Sequence, residues 1–170
     1  MKTVLSFLLA LKILCSLPTG ATYEGCYFND EAHRVYACGK SSDNEIALTF
    51  DDGPHPDYTP QILDILKEEG IKATFFVIGE NVSLYPEIFL RIVEEGHLVG
   101  NHTYSHDRSL CLSKEALYKD VLKNRRLLSS FAVSDGLFRP PGGAYDERVL
   151  TLAQQMDFDI ILWTVDTKDW

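Results

Sequence analysis

Short apolar runs alternate with amphipathic segments along residues 45–165. The runs end at turn-forming residues, which predicts buried strands at 46–50, 73–78, 97–100, 137–139 and 160–165. Between them, apolar residues recur at helical spacing, which predicts helices at 58–69, 85–95, 113–130 and 146–156. Ser113 and Asp146 are the expected N-caps of the last two helices. We expect the first two helices to bury Tyr58, Ile62, Leu63 and Leu66, and Tyr85, Ile88, Phe89, Ile92 and Val93.

This alternation of strands and helices indicates parallel β-α-β units in an α/β fold. Polar side chains follow the C-terminal ends of several predicted strands: Asp51 and Asp52, His102 and His106, Arg139, and Asp166. A (β/α)-barrel builds its active site from these strand ends, whereas a doubly wound sheet binds ligands at one switch point. Contributions from so many strands favour the barrel.

One aspartate and two histidines form a common catalytic zinc ligand set, because three protein ligands leave a coordination position for water. Asp52, His102 and His106 could supply this set, and Asp51 would then be free to act as a base. The alternative is that both histidines are surface residues or hydrogen-bonded core residues. The metal interpretation predicts a hydrolase.

Composition narrows the choice of partners and compartment. The 170 residues carry a net charge of −9, which disfavours nucleic acid and anionic membranes as partners. Residues 1–21 have the pattern of a secretory signal peptide, which predicts a secreted or cell-wall protein; their apolar run is short for a membrane anchor, the alternative. Residues 22–44 are polar and are predicted to be an N-terminal extension.

Cleavage of the signal peptide would remove Cys15 and leave Cys26, Cys38 and Cys111. An odd number of cysteines in a secreted protein suggests a free thiol or a missing partner. A Cys26–Cys38 disulfide is the economical pairing, although the sequence leaves the connectivity open.

Four segments together resemble the motifs of the polysaccharide deacetylase family, also called the NodB-homology domain or carbohydrate esterase family 4. They are 49–54 (TFDDGP), 102–106 (HTYSH), 139–143 (RPPGG) and 166–170 (DTKDW). The resemblance covers residues 45–170, and the run 59–76 is most similar to the chitin deacetylase branch. It implies an irregular (β/α)-barrel with fewer than eight complete units.

The resemblance also implies roles for individual residues. Asp52, His102 and His106 would bind the metal, expected to be Zn²⁺ with Co²⁺ as an alternative. Asp51 would be the general base, and Arg139 would orient it.

Three further roles follow from the same resemblance. The backbone N–H of Gly142 would stabilise the oxyanion, Asp166 would orient the general-acid histidine, and Trp170 would form an aromatic wall of the substrate groove. Core packing is the alternative for Trp170.

This sequence departs from the family pattern at two places. The family usually has tyrosine at the position of Gly142, and its fifth motif, a Leu-x-His that carries the general acid, would lie beyond Trp170. We therefore expect the sequence to be a fragment whose domain is incomplete at its C-terminus; a truncated, defective protein is the alternative.

The expected activity is metal-dependent removal of N-acetyl groups from a β-1,4-linked N-acetylglucosamine polymer. Chitin is the first expected substrate and peptidoglycan the second. The rival hypothesis is a deacetylase-like pseudoenzyme that acts as a secreted carbohydrate-binding or wall protein.

Overall fold

Six strands form a single parallel sheet in the computed structural model, which describes residues 30, 34–39, 45–108 and 112–168. The strands are β1 (Val35–Tyr36), β2 (Thr49–Gly53), β3 (Thr74–Val77), β4 (Leu98–Asn101), β5 (Leu137–Phe138) and β6 (Asp159–Ile161). Their order in the sheet is β1-β6-β5-β4-β3-β2, and every neighbouring pair is parallel. The parallel α/β prediction is confirmed; within the described residues the sheet is open, with β1 and β2 at its edges.

Among the described residues, five α-helices connect the strands: α1 (Tyr58–Glu68), α2 (Gly79–Leu84), α3 (Pro86–Glu94), α4 (Lys114–Ser130) and α5 (Glu147–Gln155). A 3₁₀ turn spans Pro141–Gly143. The predicted N-caps are confirmed. The Ser113 side chain accepts a hydrogen bond from the N–H of Ala116, and Asp146 accepts from those of Arg148 and Val149.

The apolar core is divided between the two halves of the sheet. One cluster joins β5 and β6 to α4 and α5 and includes the fully buried Val121, Phe138 and Ile160. The other joins β3 and β4 to helices α1–α3 and includes the fully buried Leu63, Val77 and Phe89. Burial of these side chains is the main stabilising contribution to the fold, and it leaves the C-terminal ends of the strands to the polar residues.

The first and last predicted strands are displaced or shortened. Strand β2 starts at Thr49 instead of Ile46, whose side chain is 63% exposed, and it runs through Asp51 and Asp52. Strand β6 ends at Ile161, where pairing with its short neighbours ends, and Val165 is exposed. The prediction of buried strand at 46–48 and 162–165 is therefore wrong.

The predicted helix at 85–95 begins one residue later, after a separate short helix, α2. Tyr85 has extended φ (−130°) between α2 and α3, and Pro86 occupies the first turn of α3. The residue before a proline is disfavoured in helical conformation, so the chain breaks there. Tyr58 was expected in the buried face of the first helix but is 64% exposed and stacks on His55.

Strand β1 was not expected, because residues 22–44 are polar and predict an irregular extension. Val35 is fully buried and pairs with Ile160 of β6. Among the described residues, no helix combines the length and apolar character needed to cross a membrane. The predicted signal peptide and Cys26, Cys111 and Trp170 lie outside the described residues.

Candidate metal centre and its surroundings

The end of strand β2 turns so that Asp52 faces the neighbouring strand ends. The pairing of β2 with β3 shifts register between Phe50 and Gly53, and Asp52 has a positive φ of 66°. Such a backbone is unfavourable for a residue with a Cβ and needs support from its surroundings. The side-chain amide of Asn81, on α2, donates a hydrogen bond to the Asp52 carbonyl oxygen at 2.7 Å.

The loop after β4 brings both predicted histidines to Asp52. His102 Nε2 lies 3.3 Å from Asp52 Oδ1, and His106 Nε2 lies 3.1 Å from the same oxygen. One donor atom from each of the three residues lies within 4.8 Å of the others. Tetrahedral ligands about 2.0–2.1 Å from a zinc ion would be about 3.3 Å apart, so the donor spacing fits such an ion.

The hydrogen bonding of His102 fixes which ring nitrogen is available as a ligand. His102 is 2% exposed, and its Nδ1 lies 2.6 Å from the carbonyl oxygen of Arg139. A carbonyl only accepts hydrogen bonds, so Nδ1 carries the proton, and Nε2, which faces Asp52, is the nitrogen left to bind a metal. Histidine ligands of metals are typically oriented in this way.

The charges of the three residues also suit a cation. Hydrogen bonds from His102 and then His106 hold the pKa of Asp52 well below its ordinary value, so its carboxylate stays ionised. The hydrogen bond with Asp52 raises the pKa of His106. A carboxylate with two imidazoles is a donor set that binds zinc and related divalent metals.

Asp51 points to a different partner, the buried guanidinium of Arg139. Arg139 Nη1 donates to Asp51 Oδ1 at 2.6 Å and to Thr49 Oγ1 at 2.9 Å. Its Nε and Nη2 donate to the carbonyl oxygens of Ile161 and Leu162, each at 2.9 Å. Because these carbonyl oxygens at the end of β6 bind one side of the planar guanidinium, its other side faces Asp51.

Arg139 also lies close to two aromatic rings. Its guanidinium carbon is 4.0 Å from the ring centroid of Phe76 and 5.4 Å from that of Trp163. Burial lowers the pKa of Arg139, and the carboxylate of Asp51 opposes this effect. The carbonyl of Arg139 binds His102 and its guanidinium binds Asp51, so this residue connects the Asp52–His102–His106 cluster to the second carboxylate.

The remaining predicted site residues are placed less centrally. Gly142 is exposed in the 3₁₀ turn after Arg139 and has a φ of 65°, while the adjacent Gly143 lies so close to Trp163 that a Cβ would be 2.8 Å from its ring. Asp166 is exposed beyond β6, and its Oδ1 accepts a hydrogen bond from the N–H of Lys168 at 2.9 Å.

Sequence reasoning did not single out Thr49, Phe76 or Trp163, which complete the surroundings of Arg139. Thr49 belongs to the first motif, and Trp163 is the aromatic residue of the last apolar run, so both carried a weak signal. Phe76 looked like an ordinary core residue, and nothing in the sequence distinguished its contact with Arg139.

Comparison with known proteins identifies the family. The family model described as polysaccharide deacetylase matches residues 39–161. The chain belongs to the polysaccharide deacetylase family.

Curated members of this family resemble the chain over most of its length. It is 44% identical over 127 residues to a peptidoglycan-N-acetylglucosamine deacetylase of Bacillus cereus, a match that covers 74% of this chain and 46% of that protein. It is 37% identical over 131 residues to a chitooligosaccharide deacetylase of Rhizobium leguminosarum bv. trifolii, covering 76% and 61%. The chain thus spans about half the length of these relatives.

Solved structures of the family share the fold. A crystal structure of a peptidoglycan N-acetylglucosamine deacetylase superimposes with a TM-score of 0.78 and 41% sequence identity, covering 82% of this chain and 66% of that one. The fold of this polysaccharide deacetylase domain is therefore the NodB-type α/β fold.

Proposed function

We propose that the protein hydrolyses N-acetyl groups of a polysaccharide that contains N-acetylglucosamine, using a divalent metal ion. The observation that carries this proposal is the convergence of Asp52, His102 and His106 beside an independent carboxylate, Asp51. Deacetylation of an amide needs an activated water, a base and a means to stabilise negative charge. The named activities of the relatives are of this class.

In this proposal Asp52, His102 and His106 hold Zn²⁺, with Co²⁺ as an alternative occupant. A bound zinc ion would supply Lewis acidity, which polarises a carbonyl oxygen and acidifies water. The hydrogen bond from Nδ1 of His102 to the Arg139 carbonyl holds that ring in the orientation that presents Nε2.

Asp51 is the proposed general base. Two adjacent carboxylates repel each other unless each has a partner that donates to it. Here Arg139 binds Asp51 at 2.6 Å, while the two histidines bind Asp52, so the two carboxylates face different partners. Asp51 can therefore accept a proton from water while Arg139 holds the carboxylate in place.

The oxyanion, leaving group and groove are assigned to three further residues. We propose that the backbone N–H of Gly142 faces the developing oxyanion, since Gly142 lies in the turn directly after Arg139. Asp166 would orient a general-acid histidine, and Trp170 would bind the apolar face of a sugar ring.

For the substrate, the relatives' names support both peptidoglycan and chitooligosaccharides as candidates. The Bacillus cereus relative is named for peptidoglycan N-acetylglucosamine, and the Rhizobium relative for chitooligosaccharide. Both polymers contain N-acetylglucosamine, so the proposed class is an N-acetylglucosamine polysaccharide, with chitin or its oligosaccharides and peptidoglycan as its two members. Residues 1–21 would direct the protein to the outside of the cell or to the cell wall.

Acetate release tests this proposal. The zinc-loaded, full-length protein should release acetate from chitin oligosaccharides or from peptidoglycan. Asp51→Asn should abolish turnover while it still binds zinc, and Asp57→Asn, at an exposed position outside the site, should leave turnover unchanged. Binding of either polymer without acetate release would refute the proposed deacetylase activity and favour a carbohydrate-binding pseudoenzyme.

A further inference from the structure

The loop that carries both histidines, residues 102–106, has an unfavourable backbone. Thr103 has a φ of 68° and His106 a φ of 59°, and neither is glycine. Left-handed conformations of such residues persist only where the surrounding structure holds them. The hydrogen bonds of this loop should therefore show which residues determine where the histidine rings point.

The carbonyl groups of the loop are bound from one side by helix α2. The N–H groups of Gly79 and Glu80, at the start of this helix, donate to the carbonyl oxygens of Thr103 and Tyr104 at 3.1 and 3.0 Å. The helix can approach closely because position 79 is glycine: a Cβ there would lie 2.4 Å from the Tyr104 ring.

Helix α4 also binds the loop, through two residues one turn apart, Asp120 and Asn124. Oδ2 of Asp120 accepts hydrogen bonds from the N–H groups of Tyr104 at 2.9 Å and Ser105 at 3.3 Å. Asn124 Nδ2 lies 2.8 Å from the Thr103 carbonyl oxygen.

Asn124 also connects the loop to the sheet. It is fully buried, and Nδ2 lies 3.0 Å from the carbonyl oxygen of Val77, the last residue of β3, and 3.2 Å from Asn101 Oδ1. That Asn101 oxygen accepts a hydrogen bond from the N–H of Thr103 at 2.9 Å. One side chain of α4 thus ties the ends of β3 and β4 to the first left-handed residue of the loop.

We propose that Asp120 and Asn124 are positioning residues for the metal centre, which act by holding the loop 102–106 in its left-handed conformation. They are separated from any metal by the loop backbone, so they act through His102 and His106. This inference rests on the metal site proposed above.

The primary test measures metal binding instead of turnover. Co²⁺ and Zn²⁺ affinities of the full chain are determined by competition with a chromophoric chelator, together with the visible absorption of the Co²⁺ form. Asp120→Ala removes the acceptor for two loop N–H groups and should weaken binding by about tenfold or more, as loss of outer-shell partners does in other sites. The Co²⁺ absorption bands should shift, because the ligand geometry changes.

A conservative variant separates hydrogen bonding from charge. Asp120→Asn keeps an acceptor oxygen but removes the negative charge, so its metal affinity should stay within about threefold of the wild-type affinity. An affinity reduced as much as in Asp120→Ala would show that the charge acts at a distance and would overturn the proposal. The control is Glu115→Ala, an exposed acidic residue on the same helix, which should bind metal like the wild type.

The second variant, Asn124→Ala, tests the same role at the other proposed positioning residue. It should also weaken metal binding and shift the Co²⁺ bands, and its folded fraction is measured by circular dichroism so that affinities refer to folded chain. A lower melting temperature with unchanged affinity in both alanine variants would mean that α4 only stabilises the fold, which contradicts the inference. Absence of metal binding by the wild type would instead overturn the metal site itself.

Discussion

Replacing Arg139 by lysine should destabilise the fold by about 3.5–4 kcal/mol, although the charge is kept. The guanidinium donates to the Ile161 and Leu162 carbonyls on one side and to Asp51 on the other, and it lies over Phe76. One ammonium cannot reach both sides. If it remains on Asp51, both carbonyls lose a charged donor.

The magnitude follows from these lost contacts. A hydrogen bond to a charged group contributes about 1.5–3 kcal/mol, and the partial exposure of Ile161 and Leu162 places both bonds at the lower end. Loss of the planar contact with Phe76 adds about 0.5–1 kcal/mol. The sum is about 3.5–4 kcal/mol, a substantial part of the stability of a domain of this size.

Urea unfolding of the metal-free chain, followed by circular dichroism, measures the change in the free energy of unfolding. Arg126→Lys, at an exposed position of α4, is the matched control and should differ from the wild type by less than about 0.5 kcal/mol. A similarly small change in Arg139→Lys would refute the argument that the fork geometry of Arg139 holds the strand ends together.

Two further predictions concern the sheet beneath the site. Gly100→Ala should destabilise the fold by about 1–3 kcal/mol, because the new Cβ would lie 2.4 Å from the Phe76 ring. The control Gly136→Ala, which has open space around the new Cβ, should leave the unfolding free energy unchanged. Equal unfolding free energies for the two variants would contradict this prediction. Burial lowers the pKa of His97, so the folded state favours the neutral imidazole. The stability that depends on this neutral form should be lost as the pH falls below about 6.5, the pKa of histidine in the unfolded chain. The unfolding free energy of the wild type should therefore fall more steeply between pH 7 and pH 5 than that of His97→Asn, and parallel curves would show that His97 does not titrate on unfolding.

The convergence of Asp52, His102 and His106 could be anticipated from sequence for a simple reason. Each follows an apolar run, and parallel strands present their C-terminal ends at the same edge of a sheet. The strand boundary was less predictable, because β2 continues through Asp51 and Asp52 and turns only where its register with β3 shifts.

The support of the site could not be anticipated in the same way. Arg139 binds backbone carbonyls of Ile161 and Leu162, and a carbonyl group is present at every residue, so no side-chain pattern marks these partners. Asp120 looks like a polar residue on the solvent face of a helix, and Asn124, although it shares the spacing of the apolar Val121 and Leu128, gives no sign of its partners. Their role depends on how α4 lies against the loop 102–106.

Local signals explain the errors in the helices and strands. Pro86 indicates a helix start at that residue, and greater weight on it would have separated α2 from α3. Strand β1 has only two residues, Val35 and Tyr36, within a polar stretch, so no periodicity could be read there. Its position in the sheet depends on β6, which lies more than a hundred residues away along the chain.

Titration of the metal-free chain with Zn²⁺ tests the central claim most directly. We predict one zinc ion per chain and a loss of affinity beyond about 100-fold, the upper range for outer-shell partners, in Asp52→Asn, which removes a direct ligand. The control Asp57→Asn should bind zinc like the wild type. Equal zinc affinity in wild type and Asp52→Asn, or no stoichiometric binding by the wild type, would contradict the account.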